Sequence, residues 1–226
     1  MPKTKKTEPA KKRLLIVDDH PMMRQGLAQL INSEPDLEVG WEADNASQAV
    51  NIVSVNKPDV VLADISLPDK NGLELIKDIH ALCPGALILA VSMHDETLYA
   101  ERVLRAGARG YIMKQEGGKK LMAAIRHILG GQIYVSEKMS AKILEIFSGN
   151  RRESRSSTIE QLSDREFEVF QLIGQGRGTR EIAEHLHLSV KTVEVHRAKI
   201  KLKLNLNTAT DLVRAAVRWS DTQGSA

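Results

Sequence analysis

Three aspartates pose the chemical question in this chain of 226 residues. Asp18 and Asp19 stand side by side in RLLIVDDHP, residues 13–21, directly after four apolar residues. Asp64 closes a second apolar run, DVVLA, at residues 59–63. Runs of this kind read as buried strands, so both sets of carboxylates sit where a strand leaves the interior. One aspartate at such a place commonly ends a strand or caps a helix. Three that converge repel one another, and the natural remedy is a hard divalent cation; carboxylates plus water suit Mg²⁺. Two further strand ends supply partners. Ser92 closes ALILAVS and offers a hydroxyl, while Lys114 closes GYIMK and offers a compact cation able to pair with a carboxylate or a phosphate.

These residues act together only if the strands do. Apolar runs recur at 14–17, 37–43, 59–64, 86–92 and 110–113, and segments of helical period lie between them, such as Met23, Leu27, Leu30 and Ile31, or Leu73, Ile76 and Ile79. Asn45 followed by Gln48 marks a helix start. Strands alternating with helices argue for a parallel α/β sheet. In the doubly wound order 2-1-3-4-5, strands one and three are neighbours and ligands bind beyond the strands' carboxyl ends, which brings Asp18, Asp19 and Asp64 to one rim.

The remainder of the chain is organised differently. Residues 136–147 read as one more helix capped by Ser136, and SGNRRESRSST at 148–158 reads as a linker. From Leu162 only helices follow. Ser163 with Glu166 forms a capping box, Leu162 with Phe167 a hydrophobic staple, and Thr208 with Asp211 repeats the device. A helix at 179–186, a short turn and a second helix opened by Ser189 suggest a helix-turn-helix. The expected organisation is a disordered basic tail at 1–12, an α/β domain at 13–130, a linker helix and flexible linker at 131–159, and an all-α domain at 160–226.

Charge follows these divisions. The net value is +5 over residues 1–13, −5 over 14–130 and +3 over 131–226, which suggests two domains with different partners. No apolar run approaches the ~20 residues of a membrane span, and MPKTKKTEPAKK lacks the apolar core of a signal peptide. The single Cys83 excludes an internal disulfide and fits a reducing cytoplasm, where it reads as a small buried side chain. The glycines of GQGRGTR, residues 174–180, follow a helix and read as helix termination and turn, not as a nucleotide loop.

With DD after the first strand, DISLPDKNG after the third, Ser after the fourth and YIMK after the fifth, residues 12–130 resemble the receiver domain of two-component response regulators, a flavodoxin-like fold. Residues 160–220, through LSDREFEVFQLIGQG, TREIAEHLHLSVKTVEVHRAKIKLKL and TATDLVRAAVRW, resemble the LuxR-type DNA-binding domain of the NarL/FixJ family. The resemblance implies Asp64 as phosphoacceptor. It implies Asp18, Asp19, Asp64 and the backbone carbonyl of Ser66 as Mg²⁺ ligands, with Asp19 preferred over Asp18 as the direct one. Lys114 matches the phosphoryl contact, Ser92 and Tyr111 the switch pair, and Pro68 and Gly72 the turn after the acceptor. Leu67 departs from the Met common in this subgroup, a change of packing.

The resemblance makes 189–204 the recognition helix, with Val193, Ile200 and Leu204 packed inward. Lys191, Thr192, Glu194, Val195, Arg197, Ala198, Lys199 and Lys201 are the candidate DNA contacts; Lys191 and Lys199 are preferred for phosphate and Glu194 and Val195 for bases. Leu212, Val213, Ala216 and Val217 match a dimerisation helix. The implied protein is no enzyme. It is a cytoplasmic transcription regulator, phosphorylated by a sensor histidine kinase, that binds double-stranded promoter DNA as a homodimer. When Asp64 is phosphorylated, Ser92 turns toward the new oxygens and vacates space for Tyr111. Two other readings are a Mg²⁺-dependent phosphatase like the haloacid dehalogenases, which carry D-x-D where this chain has Asp18-Asp19-His20, and a DNA-binding protein whose receiver never needs phosphate.

Overall fold

A computed structural model describes residues 11–147, 158–186 and 188–223. The expected basic tail, apart from Lys11 and Lys12, and the expected flexible linker at 148–157 lie outside the described residues. By its contacts the chain divides into two units that meet at Met139 and Ser140, each treated separately below.

In the first unit five strands alternate with helices: β1 Lys12–Val17, α1 Pro21–Asn32, β2 Leu37–Ala43, α2 Ala46–Asn56, β3 Val60–Ala63, α3 Gly72–Leu82, β4 Leu87–Ser92, α4 Glu96–Ala106, β5 Gly110–Met113 and α5 Gly118–Leu129. All pairings are parallel, in the order β2-β1-β3-β4-β5. The sequence explains the interior position of β1 and β3. Leu14, Leu15, Ile16 and Val17, and Val60 to Ala63, are buried on both faces of the sheet, as continuous apolar runs in parallel strands must be. β1 starts at Lys12, where Lys12 and the Arg13 amide are held by the Asp59 carboxylate, so the strand takes up the last residue of the expected tail.

Capping fixes where each helix enters. The Asn45 side chain accepts from Gln48 N, while Gln48 Oε1 accepts from Asp44 N, closing both ends of the α2 start. Asn71 accepts from Leu73 N at the start of α3. Next to it, a Cβ on Gly72 would lie 2.3 Å from Asp64 O and 2.5 Å from Ile65 Cα, so only glycine lets this helix start against the end of β3. The apolar side of α5 (Leu121, Ala124, Ile125 and Ile128) packs with Leu27 and Ile31 of α1 on one face of the sheet. α6, Glu137–Phe147, follows with Ser136 Oγ accepting from Met139 N.

The second unit contains α7 Asp164–Gly174, α8 Thr179–His185, α9 Val190–Lys203 and α10 Ala209–Gln223. Both capping boxes form: Ser163 with Glu166 at α7, and Thr208 with Asp211 ahead of α10. Leu162 and Phe167 are both buried. Trp219 of α10 meets Phe167 edge-on at 5.5 Å and Phe170 at 5.7 Å, an aromatic cluster that ties the last helix to the first. Gly176, at φ +82°, turns the chain out of α7, and Gly178 is the N-cap of α8, so this glycine cluster is a turn between helices.

Candidate phosphoacceptor site and DNA-binding helix

The carboxyl ends of β1, β3 and β5 bring three charged side chains into one buried cluster. Lys114 Nζ lies 2.6 Å from Asp18 Oδ2 and 2.7 Å from Asp64 Oδ2, with all three side chains 3–4% exposed. One ammonium thus answers two carboxylates and leaves a net negative charge. Burial pushes the Asp64 carboxyl above its ordinary value, against the opposing pull of Lys114 and the Ser66 amide. Burial also opposes the Lys114 charge, but the two carboxylates outweigh it and hold the ammonium's pKa above its usual value. Ser66 N donates to Asp64 Oδ1 at 3.1 Å, which fixes the turn after β3 on this carboxylate.

Asp19 sits at the margin of this cluster. Its Oδ1 is buried and accepts no hydrogen bond, and His20 Nδ1 lies 2.7 Å away in an ion-pair contact that needs a protonated ring. Ligand atoms of Asp18, Asp19, His20 and Asp64 all lie within 4.8 Å of one another. An unsatisfied carboxylate oxygen beside two further carboxylates is a donor set that fits Mg²⁺, a hard cation served by oxygen. Two histidines, outside the expected site residues, also reach the site. His20 donates its backbone N–H to Asp18 Oδ1 at 2.9 Å, and its Nδ1 lies 3.1 Å from the same oxygen. The His94 ring stacks on Tyr99 and its Nε2 lies 3.0 Å from Ser66 Oγ, joining the loops after β3 and β4. Burial, and then Lys114, lower the His94 pKa, so its ring is neutral at neutral pH. Position after the first and fourth strands was the only signal for either residue.

The two expected switch residues, Ser92 and Tyr111, are both interior. Ser92 is fully buried and its Oγ accepts from His94 N at 3.2 Å. Tyr111 is already inside, 1% exposed, with its hydroxyl donating to His94 O at 2.7 Å. A backbone carbonyl satisfies its hydroxyl within the interior. Burial, then the carboxylates of Asp95, Glu96 and Asp64, raise the phenol's pKa well above its usual value, so it stays protonated.

In the second unit α9 presents one exposed stripe. Lys191, Glu194, Val195, Ala198, Lys199 and Leu202 are exposed and recur at spacings of three and four, while Val193 and Ile200 are fully buried opposite them. Cations flank a short central stretch that carries Glu194, Val195 and Ala198.

The two parts of the chain match two families. Residues 14–126 match the response regulator receiver domain, and residues 160–216 match the bacterial regulatory proteins of the luxR family. The oxygen regulatory protein NreC of Staphylococcus carnosus is 37% identical over 210 residues, covering 91% of this chain and 97% of NreC. The chain belongs to the LuxR-family response regulators. Among solved structures, RcsB from Salmonella enterica serovar Typhimurium, bound to promoter rprA with the phosphomimetic BeF₃⁻, is 25% identical at a TM-score of 0.65 and covers 90% of this chain and 97% of its own. A LuxR-family two-component response regulator from Aurantimonas sp. is 33% identical at a TM-score of 0.57, covering 62% of this chain and 99% of its own. The present chain is therefore a DNA-binding response regulator, built from a receiver and a LuxR-type helix-turn-helix.

Within that family frame the expected contact residues differ in exposure. Thr192 Oγ1 bonds Ser189 Oγ at 2.7 Å and so serves the cap of α9. Arg197 and Lys201 are half-buried on the flank of the stripe, and burial lowers the Arg197 pKa. Leu204, expected inside, is half-buried at the end of α9. Of the expected dimerisation residues, Leu212 and Ala216 are fully buried in the unit's own core. That leaves Val213, 40% exposed, and Val217, 36% exposed, for any partner. The same turn of α10 has to cover α7, and the buried half of the face is used there. Among the described residues no helix is long and apolar enough to cross a membrane.

Proposed function

We propose that this response regulator is switched by phosphorylation of Asp64. The observation that carries the reading is the convergence of Asp18, Asp64 and Lys114 from three strand ends into one buried ion cluster. Asp18, Asp19, Asp64 and the Ser66 carbonyl would hold Mg²⁺, which supplies neutralisation of the anionic phosphoryl oxygens. An Asp64 carboxylate oxygen attacks phosphorus. The P–N bond of a kinase phosphohistidine breaks, and the imidazole nitrogen leaves with the electron pair and takes up a proton. Lys114 stays on the acceptor side, where its ammonium meets the transferred oxygens, and Ser92 supplies a hydroxyl to them. Positioning and electrostatics suffice, so no general base is needed.

The phosphodonor is a sensor histidine kinase. A cleft of about 380 Å³ beside Lys114, lined by Met22, Met23, Leu27, Leu30, Ile112 and Met113, supports seating of its helical surface next to the acceptor. The output is transcriptional. The exposed stripe of α9 enters the major groove of promoter DNA in the cytoplasm, Lys191 and Lys199 contact phosphates, and Glu194, Val195 and Ala198 face bases. Two copies bind paired half-sites, with Val213 and Val217 at the contact between them. The NreC relative and the DNA-bound RcsB support this output.

The experiment is incubation with acetyl phosphate and Mg²⁺ followed by intact-protein and peptide mass spectrometry. One phosphoryl adduct, mapped to Asp64 and absent in Asp64→Asn, is expected. An adduct that persists in Asp64→Asn contradicts the assignment.

A further inference from the structure

The segment that leaves the receiver is fastened to the loop that carries the switch hydroxyl. Tyr111 N donates to Tyr134 O and Tyr134 N donates to Arg109 O, both at 2.9 Å, so Tyr134 adds a parallel bridge along the outer edge of β5. Gly110 makes this approach possible: a Cβ there would lie 2.7 Å from Tyr134 O. Two residues further on, Ser136 N donates to Glu96 Oε1 at 2.7 Å. Ser136 in turn caps α6, and Met139 in the first turn of that helix is fully buried.

Glu96 opens α4, immediately after the loop 93–95, and is 8% exposed. Both backbone groups of His94 in that loop are held by the switch pair: Ser92 Oγ takes its N–H and Tyr111 donates to its carbonyl. Tyr111 therefore touches both attachments, through its hydroxyl on the loop and through its amide on the departing segment. A buried carboxylate bonded to a backbone N–H forms a strong, charge-assisted bond. Here that bond joins the end of the switch loop to the start of α6.

We propose that Glu96 is a positioning residue that clasps the start of α6 to the switch loop, and that phosphorylation of Asp64 opens the clasp. The inference rests on Asp64 being the phosphoacceptor. Two effects act in the same direction. A phosphoryl group that draws Ser92 Oγ toward itself pulls it away from His94 N and loosens the loop leading into Glu96. The added charge, about −1.5 to −2, also acts against the buried Glu96 carboxylate. Opening frees residues 132–139, the stretch that leads out of the receiver unit.

The test is amide hydrogen exchange on the full chain at Tyr134, Ser136 and Met139, with and without beryllium fluoride and Mg²⁺. ¹⁹F NMR reports occupancy of Asp64 independently. When the site is occupied, the Ser136 and Met139 amides exchange roughly tenfold faster or more, the scale of a lost charge-assisted hydrogen bond. The amides of β1 keep their protection and show that the receiver remains folded. Glu96→Ala produces the same acceleration without fluoride. Glu96→Gln, which keeps a carbonyl oxygen at the same reach, restores part of the protection. Should Glu96→Ala fail to fold, the wild-type fluoride comparison and Glu96→Gln still decide. Unchanged exchange at Ser136 and Met139 with fluoride bound overturns the clasp, as does full protection of Ser136 in a folded Glu96→Ala. If no bound-fluoride signal appears, the phosphoacceptor reading fails, and the inference falls with it.

Discussion

The receiver and the helix-turn-helix unit each bury a carboxylate against a lysine, for opposite purposes. In the receiver, Asp18 and Asp64 share Lys114 and a further oxygen on Asp19 has no hydrogen bond, so the cluster is under-compensated. In the second unit, Glu166 accepts from Lys203 at 2.6 Å and from Ser163 N at 2.8 Å, and its buried charge is fully answered. Burial raises Asp64 and the ammonium fails to cancel it. Burial also raises Glu166, but Lys203 and the Ser163 amide more than cancel it and leave the carboxyl below its ordinary value. The contrast locates function. A functional charge cluster keeps unmet demand for a ligand, while a structural one closes on itself and leaves recognition to exposed residues elsewhere.

The largest expected effect breaks the receiver side of this comparison. Asp64→Asn removes phosphoryl uptake completely and also raises the receiver's unfolding temperature in metal-free buffer, because it removes one charge from an under-compensated site. Differential scanning calorimetry of the full chain with EDTA checks the second half; a lowered receiver transition would mean that the cluster stabilises the fold. Next in size is Glu166→Ala, which loses a capping box and leaves Lys203 without its carboxylate. It destabilises the second unit by about 2 kcal/mol and leaves phosphorylation unchanged, as chemical denaturation and an acetyl phosphate assay would report.

Acid sharpens the contrast, because the two groups have opposite signs. The Glu166 pKa is depressed in the folded state, so its contribution is present above the ordinary carboxyl value and lost as pH falls through the folded value. The Asp64 pKa is raised, so its ionisation weakens the metal-free receiver as pH rises from the ordinary carboxyl value through the raised one. Unfolding followed from mildly acidic to neutral pH in EDTA should show wild type losing receiver stability relative to Asp64→Asn. Glu166→Ala should reduce the acid sensitivity of the second transition alone, and Asp211, also depressed, keeps a remainder. The smallest effects belong to the exposed stripe. Lys191→Ala or Lys199→Ala changes stability by no more than about 0.5 kcal/mol. Each lowers the slope of log affinity against log salt for DNA by about one. An unchanged slope removes that lysine from the phosphate contacts.

The buried half of this account was legible in the sequence. Apolar runs ending in Asp18, Asp64, Ser92 and Lys114 revealed both the sheet and its rim, because a parallel strand carries its burial in composition and its function at one end. The roles of His20 and His94 were not legible, since loop geometry decides what a histidine reaches. The inward ring of Tyr111 was not legible either, because it depends on a carbonyl supplied by a different loop. The caps and turns of the helical unit are legible, because they are local. Its surfaces were less legible. Leu212 and Val213 look equivalent as sequence, and only packing against α7 divides them into core and surface. Arg197 and Lys201 likewise look as available as Lys199 until the helix is seated.

The oxygen of Asp19 without a hydrogen bond would belong to a cation site serving Asp64. Asp19→Asn in the full chain, assayed for Mg²⁺-dependent phosphoryl uptake from acetyl phosphate alongside DNA binding in the absence of phosphodonor, tests it most directly. Loss of uptake with DNA binding and the second unfolding transition unchanged is the predicted result; uptake at the wild-type rate would contradict the account.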